Sequence, residues 1–258
     1  KSGTIYISVD ESFKPLIEQQ IRIYHSSFPD ANIIASYKPE VECFKDLQKD
    51  STRMIIVARG LNKNEEDYFT AQLSYKPEDD ILAYDAVAII TNITSNDSLF
   101  TIKRIKDILV GKEDITAIMD GKNATSTVRY LQDSVLRGST FGKNVVASNG
   151  SEAVINAVAA NKNAIGFVGL SWVGNNQEPK QQEQLKKIKL ALVECVKCTE
   201  PGYYAKPSQS TITFSQYPLA RPVFFVLKEN AVNLGTAFKN FMSLERGQLI
   251  FRRSLLAP

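Results

Sequence analysis

Apolar and polar positions alternate over residues 4–9, Thr-Ile-Tyr-Ile-Ser-Val, and most of these residues are β-branched or aromatic. That period of two predicts a strand. The period then changes: Phe13, Leu16, Ile17, Ile21, Tyr24 and Phe28 fall on one face of a helix. Ser12 is the expected N-cap, and Pro15 suits a first turn. The connecting turn, Asp10-Glu11-Ser12, lies at the carboxyl end of the strand, where open α/β sheets bind ligands.

The same grammar continues along the chain. Residues 32–37 predict a short strand, and 42–47 the start of a helix. Residues 53–58 and 85–90 are nearly unbroken apolar runs, as in parallel strands covered on both faces. Helices are predicted over 101–110, 125–136 and 151–160, and a strand over 164–168. Residues 174–187 read as a polar loop running into a helical turn, 222–228 as a strand, and 232–242 and 248–253 as closing helices. Strands alternating with helices predict an α/β fold with mainly parallel sheets and flanking helices. No fixed-period repeat, low-complexity tract or Pro-, Gly- or Ser-rich linker interrupts the chain. Two lobes would therefore be joined by crossing strands and not by a tether.

Composition narrows the classes of function. The 258 residues are 43% hydrophobic and 23% charged, which excludes a disordered or fibrous chain and fits one large domain or two lobes. A net charge of +3 without a basic stripe is no nucleic-acid signature. No apolar run approaches the roughly 20 residues of a membrane span. The chain starts at Lys1 with no initiator Met and no apolar signal segment, so it reads as a mature or trimmed chain. The cysteines, Cys43, Cys195 and Cys198, are too few for a disulfide framework. Cys195 and Cys198 could form a zinc half-site, a redox pair or a local disulfide; a single histidine disfavours zinc, and a surface pair is the simplest reading.

Catalytic constellations are missing. His25, the single histidine, sits on a polar helix stretch and reads as solvated. Gly169-Leu170-Ser171-Trp172-Val173-Gly174 resembles a nucleophile elbow, but its second Gly is one place too far and no His partner follows. No phosphate-gripping loop or dinucleotide fingerprint follows a strand. Glu65-Glu66-Asp67 and Glu78-Asp79-Asp80 read as solvated surface. No catalytic residue, metal ligand set or cofactor is assigned.

What the chain has instead is several helix starts rich in small hydroxyl and amide residues: Asp10-Glu11-Ser12-Phe13, Asn123-Ala124-Thr125-Ser126-Thr127 and Ser148-Asn149-Gly150-Ser151. Free N–H groups, the positive helix end and added hydroxyl donors suit a tetrahedral oxyanion. Each alone is more simply an N-cap.

Longer segments then add up in order and spacing. Residues 81–92 are similar to a lobe-crossing strand, and 101–112 to the helix after it, with its terminal Gly111-Lys112. Ala164-Ile165-Gly166-Phe167-Val168-Gly169 is similar to an Ala-Ile-Gly-Tyr strand. Tyr217-Pro218-Leu219-Ala220-Arg221-Pro222 is close to Tyr-Pro-Leu-Ser-Arg-Pro, and Gly247-Gln248 to the start of a C-terminal helix. Over nearly its whole length the chain resembles the periplasmic phosphate-binding proteins of ABC transporters, a type 2 solute-binding family with two lobes around a cleft. The resemblance implies lobe 1 over residues 1–86 plus 226–258, lobe 2 over 87–225, and a hinge at Asp85 and Asn92.

The resemblance also implies a ligand set. Ser12-Phe13 matches the family's Thr-Phe. Ala124-Thr125-Ser126-Thr127 is similar in position to its Gly-Ser-Gly-Thr, with Ser126 as an added donor. The family's arginine ahead of this motif is absent, Asp120-Gly121 standing there instead; Arg129 either supplies a cation or faces solvent. The Gly- and Ser-rich second loop is replaced by Lys38-Pro39-Glu40-Val41-Glu42, and the strand that ends in an acidic acceptor ends here in Ala58-Arg59. That change has a chemical consequence, because a site preferring phosphate to sulfate needs an acceptor for the phosphate O–H, and arginine has none. The expectation is that Ser12, Phe13, Arg59, Ala124, Thr125, Ser126 and Thr127 hold the anion. Glu40 would tune selectivity, or else pair with Arg59 and leave the cleft.

The function implied is a non-catalytic binding component of an ABC importer. It would bind inorganic phosphate or a similar oxyanion, act as a monomer and deliver its ligand to a membrane permease. It would lie in the periplasm or at the cell surface, held by a lipid anchor upstream of Lys1. The rivals are a same-fold sensor or binder of another anion, and an enzyme of phosphate-ester chemistry.

Overall fold

The structure is a computed structural model that describes residues 2–257. In chain order its strands and helices begin β1 (Gly3–Asp10), α1 (Lys14–Ser27), β2 (Ala31–Lys38), α2 (Glu40–Leu47), β3 (Thr52–Val57), α3 (Lys63–Leu73) and β4 (Glu78–Asn92). Next come β5 (Leu99–Phe100), α4 (Ile102–Leu109), β6 (Thr116–Met119), α5 (Ser126–Leu131), β7 (Val145–Ala147), α6 (Ser151–Ala160) and β8 (Ala164–Gly169). The last third holds α7 (Pro179–Gln184), β9 (Ile188–Leu190), β10 (Leu192–Glu194), β11 (Tyr204–Ala205), α8 (Gln209–Thr213), β12 (Ala220–Leu227), α9 (Leu234–Ser243) and α10 (Glu245–Arg253).

The main strand order is β2-β1-β3-β12-β4-β8-β6-β7, with β9 also beside β4. The path divides within one strand. β4 pairs with β12 from Glu78 to Ala86 and with β8 from Val87 to Thr91. One 15-residue strand therefore belongs to both sheets and passes between them at Ala86-Val87. Pairs joined through helices, β1–β2, β1–β3, β6–β7 and β6–β8, are parallel. β12 and β4 run antiparallel to each other and to their other main-sheet neighbours.

This register moves two expected boundaries. All of β12 pairs with β4, so the chain re-enters the first sheet at Ala220 and not at residue 226. Asn92, expected at the hinge, stands five residues beyond the Val87 side of the crossing point. It ends β4 deep in the second sheet, and its side chain donates to the Val158 and Ala159 carbonyls at the end of α6. Asp85 does lie beside the crossing point. The terminal residues of the expected first lobe, 1 and 258, lie outside the described residues.

Packing explains why these segments fold where they do. α1 buries Leu16, Ile17, Gln20 and Tyr24. β8 is wholly buried, and a Cβ at Gly166 would meet Val154 Cγ1 at 2.6 Å and Val158 Cγ2 at 2.7 Å. The missing side chain is what lets α6 lie on the strand. Cys43, Leu47, Ile55, Val57, Phe69 and Val226 form a smaller core under α2 and α3. Cys195 and Cys198 form a disulfide at the end of β10, which selects one of the three readings, and Cys195 is buried, not at the surface. Among the described residues no helix is long and apolar enough to cross a membrane.

Candidate anion-binding site

β1 ends at Asp10, whose Oδ1 accepts from the Ser12 N–H at 2.9 Å and from Ser12 Oγ at 2.8 Å. Asp10 thus caps the 3-10 turn Glu11–Phe13, and α1 starts without a side-chain cap. Ser12 is not the expected N-cap; its hydroxyl is turned inward. At the head of α5 the capping role falls to Thr125, whose Oγ1 accepts from the Val128 N–H and donates to Asp120 Oδ1 at 2.7 Å. With Thr125 so engaged, Ser126 and Thr127 are the hydroxyls that face the first sheet.

They meet a residue outside the expected set. Arg221, from β12, is 1% exposed. Its Nη2 donates to Ser12 Oγ at 3.0 Å, and its Nη1 to Ser126 Oγ at 3.1 Å and Thr127 Oγ1 at 3.3 Å. Its Nε donates to Asp85 Oδ2 at 2.9 Å, and its guanidinium lies 5.2 Å from the Phe13 ring centroid. Ser12 Oγ and Ser126 Oγ are 3.4 Å apart. Gly169 closes this wall: a Cβ there would lie 2.7 Å from the Ser12 carbonyl and 3.2 Å from Arg221 Nη2. The structure thus brings Ser12, Phe13, Ser126 and Thr127 together around one buried guanidinium. The signal for Arg221 was present in Tyr217-Pro218-Leu219-Ala220-Arg221-Pro222, which marked the fold but carried no role for its arginine.

The other expected residues are engaged differently. Arg59 gives both terminal nitrogens to Glu65 at 2.8 Å and stacks 3.9 Å from the Phe44 ring centroid. Its fork faces α3, so Arg59 is not part of the cluster around Arg221. Glu40 pairs with neither Arg59 nor a free donor. It is 2% exposed, accepts from the Ala58 N–H, and is held by Arg129 Nε at 2.6 Å and Nη2 at 3.2 Å. Arg129 is thus engaged by Glu40 across the two sheets. Ala124 contributes its carbonyl, which accepts from the Val41 N–H. The start of α6 is filled from within: Glu11 accepts from the Ser151 N–H at 3.0 Å and from Ser151 Oγ at 2.7 Å. Ser171, in the elbow-like sequence, donates to the Ser12 carbonyl.

Charges in this enclosure are unevenly compensated. Burial works against the Arg221 charge, but Asp85 and Asp10 beside it override this and hold its pKa above the ordinary value. Burial pushes the Asp10 carboxyl up to about 6, with Arg221 only partly opposing. Burial also raises Asp120 against the hydroxyls of Thr125 and Thr127. Asp10 Oδ2 is fully buried and has no hydrogen-bond partner. Such an oxygen costs on the order of 1–3 kcal/mol until a donor reaches it. The arrangement brings a guanidinium, three hydroxyls and one unpartnered carboxylate oxygen together where the two sheets meet.

Two sheets sharing a crossing strand, with an enclosed polar site between them, define a two-lobed binding fold. A family model described as a PBP superfamily domain matches residues 1–245, and the chain belongs to that family. Phosphate-binding protein PstS 2 of Streptococcus pneumoniae is 30% identical over 108 residues, which is 42% of this chain and 30% of that protein. The chain thus spans under a third of the length of that curated relative. Phosphate-binding protein PstS of Staphylococcus epidermidis is 23% identical over 88% of this chain and 70% of its own. Among solved structures, a Clostridium perfringens protein assigned as a phosphate ABC transporter substrate-binding protein, with bound phosphate, superposes with a TM-score of 0.80. It is 22% identical and covers 99% of both chains, so it shows a type 2 periplasmic binding protein fold.

Proposed function

We propose that this protein is an extracytoplasmic binding component of an ABC importer that takes inorganic phosphate between its lobes and catalyses no reaction. Ser12, Ser126 and Thr127 supply hydroxyls, the Ser12 proton turning from Asp10 Oδ1 to the anion as it binds, and Arg221 supplies the cation. The lobes close because an anion bridging these residues gains donors from both sheets at once. The reading draws support from the relatives called phosphate-binding proteins and from the neighbour that carries phosphate. The Cys195–Cys198 disulfide suits an oxidising compartment outside the cytoplasm. A membrane permease is the partner, the protein acts as a monomer, and a lipid anchor upstream of Lys1 holds it at the surface.

The observation that carries the choice of phosphate is the vacant Asp10 oxygen among buried donors. A hydrogen phosphate can donate its O–H to that oxygen; sulfate has no proton to give and would place a bare anion against a carboxylate. Isothermal titration at pH 7.5 with phosphate and with sulfate tests this. The expected result is one phosphate per chain, with sulfate at least 100-fold weaker. Equal affinities, or no phosphate binding, would overturn it.

A further inference from the structure

A separate cavity is lined by none of Ser12, Ser126, Thr127 and Arg221, although Tyr130 of α5 and Ala220, the chain neighbour of Arg221, border it. It has a volume of about 750 Å³, within the usual range for small-ligand sites. Its apolar lining is Ile102 of α4, Val135 after α5, the exposed Val196 of the disulfide loop, Ile212 of α8, and Leu219. Its basic lining is Lys103, Lys106, Arg137 and Lys197, and no Asp or Glu lines it. Lys103 is tied to Asp107 at 2.5 Å. Among the described residues Lys106, Arg137 and Lys197 form no ion pair, and the Arg137 side chain donates only to the Ser134 carbonyl. The disulfide holds Val196 and Lys197 as the two residues of a closed loop, so the feature that phosphate binding leaves unused is part of this wall.

An apolar lining together with three unpaired cations matches one ligand chemistry. We propose that this cavity binds a small amphiphilic anion, an unbranched apolar chain ending in a carboxylate. The chain buries against Ile102, Val135, Val196 and Leu219, and the carboxylate takes the cations of Lys106, Arg137 and Lys197. Neither group alone suffices: exposed ion pairs are weak on their own, and a neutral chain leaves the cations unused.

The test is a calorimetric titration of the whole protein with decanoate below its micelle concentration, with acetate and 1-decanol as controls. Decanoate is expected to bind once per chain, at least 10-fold tighter than either control. The double variant Lys106→Glu/Lys197→Glu, at one half-buried and one exposed lysine, should weaken decanoate by 10-fold or more while leaving the thermal midpoint of the ligand-free protein unchanged. Prior saturation with phosphate should leave decanoate binding in place, and a failure of phosphate to bind would bear on the other site alone. The proposal is overturned if decanoate binds no tighter than 1-decanol, if charge reversal leaves its affinity unchanged, or if phosphate displaces it.

Discussion

Asp10 meets two opposed demands. Folding would favour a partner for its buried oxygen, whereas anion recognition needs that oxygen free. Its folded-state pKa of about 6 lies above the ordinary 3.8, so the folded protein holds a proton that the unfolded chain releases between those values. Stability therefore falls as the pH rises from about 4 to about 6, and the cost is complete above that. Asp10→Asn keeps an acceptor for the Ser12 N–H and removes the charge. Denaturant titration should show a flatter profile across this window and a gain of up to roughly 3 kcal/mol at pH 7. The same variant should lose about 10- to 100-fold in phosphate affinity with no loss for sulfate, as expected when a buried O–H is left unmatched. An unchanged preference would remove Asp10 from recognition. This residue could not be read from the sequence. Asp10 looked like one polar residue of a turn, and only the approach of β12 shows that its second oxygen is enclosed. Arg59 shows the converse: its partner Glu65, in the Asn62 capping box of α3, engages the fork through a contact the sequence does not display.

At the scale of elements, periodicity served where one face decides the structure. α6 lies over Ser151–Ala160 as expected, and β8 extends the expected strand by one residue because both its faces are covered. α3 shows no periodicity because Phe69 is its single buried residue, although Asn62 and Glu65 spell a capping box. β5, β7, β9, β10 and β11 have two or three residues each, too few to show a period. Tertiary pairing alone defines them. The contact of α6 with β8 offers a direct check, since Gly166→Ala would push a methyl into Val154 and Val158. A loss of about 1–3 kcal/mol by denaturant titration is expected. A neutral result would mean that α6 can lift away without cost.

Across the whole molecule, the sheets meet through more than β4. Glu11 reaches Ser151, Trp172 Nε1 donates to the Glu11 carbonyl at 3.1 Å, and Arg129 holds Glu40. These links flank the Arg221 cluster and oppose opening. Glu11→Ala removes one of them without touching the proposed donors. Small-angle scattering of the ligand-free variant should give a larger radius of gyration than the parent, and phosphate should restore the parent value. Identical radii without ligand would show that Glu11 does not hold the lobes together. The two-lobed architecture was legible in the order of strands, helices and crossing segments. The site was legible only in part: Ser12, Ser126 and Thr127 lie on local helix starts, whereas Arg221 and Asp85 reach it through pairing between strands far apart in sequence.

A crystal of the protein grown with phosphate at pH 7.5 tests the central claim most directly. Tetrahedral density should touch Ser12, Ser126, Thr127 and Arg221, with one oxygen within about 2.5–2.7 Å of Asp10 Oδ2. Phosphate bound elsewhere, with Arg221 still closed on the three hydroxyls, would contradict it.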